Sequence, residues 1–440
     1  MPMKIFEWTL RLNGFPIKKA KAHLAKVQSI PSQKYEAHIN SLRERILQHH
    51  CQNNPFYKSF LEKHSCAVET AWESIPVMDK SILQRPLAER LSEGFSEKTS
   101  YIGRTSGSSG IPLVYAKDPF CHALTWAENM DRFGWHGINL NTSYQARFYG
   151  IPLERKKYYK ELIKDRFAKR QRFPIFDLSE EKLAYFLSVF RKKRFHFING
   201  LTSAIVLFAK YLQANNIILT EVCPTLKLCV VTSEMLFEDD RKLLEESLGV
   251  RVINEYGASE LDLIAFENTE GKFQLNSETL FVELLDDEGN EVPKGQPGRI
   301  IITSLYNKAH PFIRYDVGDI GIMDTDSTFK KPILKKLIGR ANDNAVLPNG
   351  TTIPGHTFYY VTKTALGIDS PVKEFIVEQH QPSLYKMVYV ASRDLNSAEK
   401  NHLEETIERY IKAPITLQLE RKELLDRSNR GKLKQFISYL

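Results

Sequence analysis

A stretch of small and hydroxyl-bearing residues between two apolar segments is the first part of the chain suited to binding a charged ligand. This Ser/Gly loop consists of Thr105, Ser106, Gly107, Ser108, Ser109 and Gly110, and Ile111 and Pro112 follow it. Glycines let the backbone approach a ligand closely, and backbone amides and hydroxyl groups are donors to phosphate oxygens. Flexible surface linkers have the same composition, so the stretch alone leaves both interpretations open.

Three further clusters of small and polar residues each follow a predicted strand. They are Gly200, Leu201 and Thr202; then Ser233 and Glu234; then Asn254, Glu255, Tyr256, Gly257, Ala258, Ser259 and Glu260. Ligands of open α/β sheets bind beyond the carboxyl ends of the parallel strands. We therefore expect a binding site where these three clusters meet.

The elements that must position these clusters alternate between strand and helix. Strands are predicted over residues 195–199, 226–231 and 250–253, and helices over residues 202–212 and 239–248. This alternation is typical of a largely parallel sheet covered by helices.

The two ends of the chain have other patterns. Helical spacing runs over residues 34–64 and is broken near Pro55, and Pro76 opens a second predicted helix through Leu83. Beyond about residue 275, strands with tight turns over residues 279–285 and 298–303 predict a β-rich subdomain. The last hundred or so residues read as a small α+β unit.

Composition narrows the class of protein. A chain of 440 residues, 42% hydrophobic and 11% aromatic, has the size of two globular domains and the composition of an enzyme. Its net charge of +8 favours anionic ligands, but the sequence has no DNA or RNA recognition motif. No apolar run approaches the roughly 20 residues that span a bilayer. The five cysteines form no C-x-x-C pair, which, with no evident signal peptide, favours the cytoplasm.

Several familiar chemistries are absent from the sequence. It has no G-x-x-x-x-G-K-[ST] phosphate loop, no G-x-G-x-x-G after a strand, and no G-x-S-x-G nucleophile elbow. Its twelve histidines form no H-E-x-x-H or other metal-ligand spacing.

Five motifs in chain order resemble the adenylate-forming superfamily of acyl-CoA ligases, nonribosomal adenylation domains and luciferases. They are residues 105–112, residues 256–260, residues 315–319, Gly339 with Arg340, and Gly431 with Lys432. Residues 54–57, residues 75–80 and the compact length resemble the phenylacetate–CoA ligase and CapK-type branch in particular.

This resemblance implies an α/β fold with two domains. Residues 1–338 would form a large ATP- and acyl-binding domain with mixed sheets and a β-rich subdomain, and residues 339–440 a small, mobile α+β lid. The implied reaction is attack of a carboxylate on the α-phosphorus of ATP, which gives an acyl-adenylate and pyrophosphate. Fixed donors and a divalent cation stabilise the charge that develops on the phosphate oxygens.

The resemblance also implies roles for residues around the phosphates. The Ser/Gly loop would hold the β- and γ-phosphates, Ser259 would contact the α-phosphate, and Glu260 would ligate Mg²⁺. Lys432 would bridge the α-phosphate and the substrate carboxylate. Each also has an ordinary alternative: Glu260 as a helix cap and Lys432 as a tail lysine.

The nucleoside and the acid would lie against other predicted residues. Tyr256 would pack on adenine, in a pocket lined by Ser233, Glu234, Asn254 and Glu255. Gly257 and Ala258 would also belong to the nucleotide-binding residues. Asp319 would accept both ribose hydroxyls, unless it only closes a turn, and Arg340 would fix the ribose or phosphate. Gly200, Leu201 and Thr202 would line the acyl pocket with residues 148–150. Aromatic residues there favour a small aromatic or hydroxylated acid, although core packing explains them equally well.

Two features of the chain depart from a simple match. The family commonly has an acidic residue at the hinge between domains, and here Asn342 stands in that place, followed by Asp343. Residues 154–172 are strongly basic. They read either as a solvated helix face or as a docking surface for a phosphorylated carrier, coenzyme A or a membrane-bound acceptor.

Three functions follow as alternatives. The first is an ATP- and Mg²⁺-dependent ligase that joins a small carboxylic acid to coenzyme A. The second is a CapK-type adenylating enzyme of surface-polysaccharide biosynthesis with another acceptor, and the third is an inactive nucleotide-binding relative. All three are expected in the cytoplasm; peripheral membrane contact through residues 154–172 and the oligomeric state, such as a homodimer, are both left open.

Overall fold

A computed structural model describes residues 5–66, 71–105, 112–150, 155–340, 344–366, 370–425 and 436–440. The chain divides into a large unit, residues 1–317 and 321–336, and a small unit, residues 318–320 and 337–440. Each unit combines helices with β-sheets, so the predicted α/β class is confirmed. None of the helices in the described ranges is long and apolar enough to cross a membrane.

The elements are numbered in chain order over the described residues. The helices are α1 (Ile5–Leu12), α2 (Ile17–Gln28), α3 (Ser32–Asn53), α4 (Pro55–Lys63), α5 (Leu87–Arg90), α6 (Pro119–Trp135), α7 (Arg155–Phe167), α8 (Glu180–Lys192), α9 (Thr202–Ala214), α10 (Leu219–Val222), α11 (Glu238–Leu248), α12 (Gly355–Leu366) and α13 (Ser397–Ile411), with a 3₁₀ turn at Trp72–Ser74. The strands are β1 (Tyr101–Arg104), β2 (Val114–Lys117), β3 (Gln145–Phe148), β4 (Arg170–Phe173), β5 (Phe197–Leu201), β6 (Leu228–Thr232), β7 (Val252–Ala258), β8 (Asp262–Glu267), β9 (Phe273–Leu275), β10 (Leu280–Leu285), β11 (Pro297–Ser304), β12 (Tyr315–Met323), β13 (Leu334–Arg340), β14 (Asn344–Val346), β15 (Thr352–Pro354), β16 (Val372–Gln381), β17 (Leu384–Ala391), β18 (Thr416–Arg421) and β19 (Phe436–Ser438).

A seven-stranded sheet, ordered β4-β3-β5-β6-β7-β8-β9, forms the centre of the large unit. The first five strands run parallel, and β8 and β9 are antiparallel. Every residue of β5 and β6 is buried, as expected of parallel strands whose two faces are both covered. The predicted parallel sheet is therefore confirmed. The difference from the prediction is that β7 extends through Ala258, because residues 255–258, predicted as loop, pair with β8.

Strands β3 and β5 approach each other closely where the chain has Gly200. A Cβ atom at this position would lie 2.5 Å from both the Cβ and the carbonyl oxygen of Phe148. The Phe148 ring stacks on Phe173 of β4 with 4.9 Å between ring centroids, so it has little room to move. Gly200 is thus required by sheet packing, whatever else it contacts.

The connection between α3 and α4 is capped and buried. Asn54 begins α4: its side-chain oxygen accepts the Tyr57 backbone N–H at 2.8 Å, and Pro55 occupies the first turn. The Asn54 amide also donates to the Arg90 carbonyl at 2.9 Å. These contacts explain residues 54–57 by local structure.

The helix predicted to start at Pro76 is wrong. Met78 instead lies extended beside β12, where its N–H donates to the Arg314 carbonyl at 2.9 Å and its carbonyl accepts from Asp316 at 2.8 Å. Asp79 then closes a turn by accepting the backbone N–H of Ser81 at 2.8 Å. The apolar side chains whose spacing indicated a helix belong instead to a segment that pairs with the distant strand β12.

The β-rich subdomain is confirmed as a sheet ordered β10-β11-β12-β13. Strands β10 and β11 pair antiparallel with Leu280 opposite Ser304. Arg314, which precedes β12, is buried and donates to the carbonyls of Glu73 and Ile75, both at 2.6 Å. One guanidinium thus joins the N-terminal segment to this sheet.

The small unit has a four-stranded sheet ordered β18-β17-β16-β19. Strands β16 and β17 are antiparallel, and each pairs in parallel with its outer neighbour. Fully buried Gln379 donates to the Tyr385 hydroxyl at 2.8 Å and to the Val346 carbonyl at 2.6 Å. This side chain joins the hairpin of β14 and β15 to the sheet.

Gly200→Ala is predicted to lower the apparent Tm by several degrees, because the new methyl group meets backbone and Cβ atoms of Phe148. Overpacking of this kind costs about 1–3 kcal/mol. Gly134→Ala is the matched control, since no atom lies within 4 Å of a Cβ built there and alanine favours helix. Scanning fluorimetry of both variants is the measurement. An unchanged Tm for Gly200→Ala would contradict the packing requirement.

Candidate active site

The carboxyl ends of β5 and β6 bring two of the predicted clusters together. The Glu234 carboxylate accepts the backbone N–H of Ser203 at 2.7 Å, at the start of α9. The Thr202 hydroxyl donates to the Glu234 carbonyl at 3.3 Å. The carboxylate and the carbonyl of Glu234 together fix the loop after β6 against α9, a positioning role.

Two residues at this edge have features that bear on their predicted roles. Ser233 has a φ of +70°, in the left-handed region that a serine rarely adopts. Such backbone strain clusters at functional sites, where surrounding contacts hold it. Leu201, predicted to line the acyl pocket, is buried in the hydrophobic core beside Phe148 and Phe208.

The segment of residues 254–260 turns sharply from β7 into β8. Gly257 is required there, since a Cβ atom would lie 2.4 Å from the carbonyl oxygen of Asp262. Tyr256 is buried, Ser259 is exposed, and Glu260 is buried again. The turn therefore presents the Ser259 hydroxyl outward while holding the Glu260 carboxylate in a sheltered position.

The Glu260 carboxylate accepts a hydrogen bond from a residue 55 positions further along the chain. Its Oε1 accepts from the Tyr315 hydroxyl at 3.0 Å. The described residues contain no group of three or more His, Cys, Asp or Glu side chains placed to hold a metal ion. One sheltered carboxylate fits Mg²⁺ as it is held in nucleotide sites, by one or two carboxylates with substrate phosphates and water.

An ion pair between a buried lysine and a partly exposed aspartate fastens the turn that carries Glu260. Lys117 at the end of β2 pairs with Asp262, whose Oδ2 also accepts from the Thr125 hydroxyl of α6 at 2.9 Å. Burial lowers the pKa of Lys117 to about 8. Asp262 has a φ of +62°, so these two contacts hold a strained turn.

The same pair links the turn to the base of the Ser/Gly loop. Strands β1 and β2 form a hairpin in which Lys117 lies opposite Tyr101. At its other end, Thr105 donates its N–H to the Leu113 carbonyl, and its hydroxyl accepts the Leu113 N–H, both at 2.9 Å. Lys117 thereby couples the strand that leaves the Ser/Gly loop to the turn after Glu260.

A small cavity lies behind this ion pair. Its polar lining includes Lys117, Thr125, Glu128, Glu260 and Tyr306. Burial raises the pKa of Glu128 to about 8. Its Oε1 accepts no hydrogen bond from any described residue.

Several predicted site residues lie outside the described residues: Ser106, Gly107, Ser108, Ser109, Gly110, Asn342 and Lys432. Arg340 ends β13, and Asp319 is buried in β12. The roles expected of these residues stay predictions.

The basic segment forms α7 and turns its acidic residues inward. Arg172 of β4 contacts Asp165 and Glu161, each at 3.0 Å. The outward side chains include Lys164 and Arg166 together with exposed apolar residues: Tyr159, Leu162, Ile163 and Phe167. The described part of this surface is therefore basic and apolar at once.

Lys117, Thr125 and Tyr315 hold the site, and sequence reasoning missed their contacts. Lys117 is the last residue of a short apolar strand. A charged residue in that position usually indicates only that the strand ends there. Its partner Asp262 lies 145 residues away, so no local pattern joins them.

Comparison with known proteins gives three informative likenesses. Protein CapK of Staphylococcus aureus is 29% identical over 167 residues, covering 37% of this chain and 35% of that protein. Phenylacetate–coenzyme A ligase of Pseudomonas putida is 24% identical over 203 residues, 44% of each chain. The solved structure of 2-hydroxyisobutyryl-CoA ligase in the postadenylation state with 2-HIB-AMP matches 94% of this chain and 91% of that chain, with a TM-score of 0.71 and 15% identity.

The extent of these likenesses differs. The alignments span less than half of the two curated relatives, whereas the structural match, which concerns the fold, spans nearly the whole chain. No protein-family model matches the chain.

Lys117→Met is predicted to destabilise the large unit by about 2–4 kcal/mol, because it leaves Asp262 without its buried counterion. Lys117→Met with Asp262→Asn should cost less than the sum of the two single changes, since no unpaired charge then remains. Asparagine also tolerates the positive φ at residue 262. Thermal unfolding of the parent and the three variants measures the coupling, and purely additive losses would show that the pair does not hold the turn.

Proposed function

Because this chain has the fold of the adenylate-forming superfamily and is related in sequence to its phenylacetate–CoA ligase and CapK branch, we propose that it activates a carboxylic acid with ATP and transfers the acyl group to coenzyme A. The observation that carries the proposal is the sheet edge where residues 233–234 and 254–260 meet. The hairpin bearing the Ser/Gly loop is coupled to that edge through Lys117 and Asp262.

The proposed roles follow from position and chemistry. Exposed Ser259 would donate to the α-phosphate, and buried Tyr256 would form part of the adenine pocket. Glu260 would hold Mg²⁺, which supplies positive charge to the phosphate oxygens when bound. Because one carboxylate is a weak site for this ion, we expect Glu260 to hold it together with the nucleotide.

Asp319, Arg340 and Lys432 keep the roles implied by the family motifs. An ionised Asp319 can accept both ribose hydroxyls, and Arg340 can donate to ribose or phosphate oxygens. Lys432 would place a positive charge between the α-phosphate and the attacking carboxylate. Such a charge stabilises the transition state more than the bound substrates, so its loss lowers kcat more than it raises KM.

The similarity to CapK favours a second candidate for the acceptor. In this alternative the same adenylation is followed by transfer to a group other than coenzyme A, in surface-polysaccharide biosynthesis. Both candidates place the enzyme in the cytoplasm, where ATP is available. The two differ only in the second half-reaction, so they share every residue role given above.

The first test of function is ATP–pyrophosphate exchange across a panel of carboxylic acids. At least one acid is expected to promote exchange, and Glu260→Gln and Lys432→Ala should each lower the rate about 10²–10³-fold by removing transition-state charge stabilisation. Lys434→Ala is a matched control, two residues away in the same basic tail. The proposal of adenylation would be contradicted if no acid promoted exchange. It would also be contradicted if Glu260→Gln and Lys432→Ala both exchanged as fast as the parent.

The acceptor is tested with the acid that supports exchange. Coenzyme A is expected to yield a thioester, which mass spectrometry detects. Release of acyl-adenylate without thioester would favour the CapK-type alternative.

The surface of α7 leads to a prediction of anionic membrane contact. The protein should co-sediment with phosphatidylglycerol vesicles more than with phosphatidylcholine vesicles, and less at high salt, because its exposed face combines basic and apolar groups. Ile163→Asp with Phe167→Asp should abolish this binding. Phe329→Asp is the control, as Phe329 is an exposed aromatic residue outside α7. Equal binding to neutral vesicles would argue against electrostatic docking.

A further inference from the structure

Arg147 is a half-buried cation at the sheet edge that the proposed function does not use. In β3 it lies opposite Arg172 of β4 and Asn199 of β5. Its guanidinium stacks 4.4 Å from the centroid of the Tyr149 ring. It thus lies just before residues 149–150, where the sequence predicts the acyl pocket.

Among the described residues, Arg147 has no anionic partner. Its Nε is buried and donates to no acceptor, and none of the ion pairs described for the large unit includes it. The neighbouring arginines are different, since both Arg170 and Arg172 pair with Asp165. Of the three arginines in β3 and β4, Arg147 is therefore the one that forms none of the described ion pairs.

The groups around Arg147 are polar, but none of those described forms an ion pair with its guanidinium. Burial and the charges of Arg170 and Arg172 lower its pKa to about 10, so it is still charged at neutral pH. Glu255 of β7 interacts with Arg147 electrostatically but forms none of the described ion pairs with it, and burial raises the pKa of that carboxyl. Tyr149 is next to Ser233 and has a pKa raised to about 12 by burial.

A cation that loses part of its hydration without gaining a counterion is costly, and the buried Nε of Arg147 has lost its water without gaining an acceptor among the described residues. Placed beside a predicted ligand pocket, such a cation is poised for an anion that the ligand brings. Guanidinium groups bind carboxylates with two parallel hydrogen bonds, which also fixes orientation.

We propose that Arg147 binds a second anionic group of the acid that is activated, so that the preferred substrates are dianionic acids such as dicarboxylates. The inference rests on the proposed adenylation. It adds the substrate class: one carboxylate reacts, and the other pairs with Arg147. The Tyr149 ring beneath the guanidinium would keep the cation oriented.

The test compares matched pairs of acids in ATP–pyrophosphate exchange: phenylacetate against 4-carboxyphenylacetate, and butanoate against pentanedioate. The parent should prefer the dianion of at least one pair. Arg147→Gln should lower kcat/KM for that dianion about 10–100-fold, as expected from loss of charge-assisted hydrogen bonds, and change the monoanion little. Arg147→Lys should retain part of the preference. A preference for monoanions, or a dianion preference that survives Arg147→Gln, overturns the inference.

A binding measurement separates this inference from the proposed function. Dicarboxylates should raise the Tm of the parent in scanning fluorimetry without ATP and leave that of Arg147→Gln unchanged, whether or not exchange occurs. The unliganded variant should melt no lower than the parent, since it loses an unpaired charge. If Arg147→Gln instead raises KM for ATP alone, Arg147 serves a phosphate of the nucleotide, and the inference is overturned.

Discussion

The ion pair between Lys117 and Asp262 is the interaction on which the site's architecture depends. It joins a hairpin early in the chain to the turn between β7 and β8, and the Thr125 hydroxyl of α6 completes it. An ion pair with a buried cation is an unusual way to connect two segments, because desolvation offsets much of the attraction between the charges. Its advantage is that an ion pair with hydrogen bonds depends on direction. Unlike an apolar contact, it holds the strained turn in a single arrangement.

The rest of the edge follows the same principle, in which a side chain of one element satisfies the backbone of the next. Glu234 receives an N–H that α9 cannot use internally, and Asn54 does the same for α4. Arg314 joins two segments through their carbonyl groups. Polar side chains thereby fix loops whose apolar content is too small to pack by itself.

Local patterns in the sequence were sufficient for much of the fold. The buried strands β5 and β6 are short apolar runs before polar clusters, and α9 and α11 have helical spacing, so their order was predictable. The conformation of residues 76–83 was not predictable, because Met78 pairs with Tyr315, which is far away in the chain. Glu260 and Tyr315 were each singled out as residues of a motif, whereas nothing in the sequence drew attention to Lys117. Contacts between distant segments were therefore what the sequence could not supply.

The hydrogen bond from Tyr315 to Glu260 has a bearing on the order in which ligands arrive. If Glu260 holds Mg²⁺ as proposed, a cation that arrives alone competes with this phenolic donor for the same carboxylate oxygen and gains little from the exchange. A cation that arrives with phosphate oxygens brings ligands of its own, which favours the exchange. The tyrosine would then favour binding of the metal together with the nucleotide over binding of the metal alone.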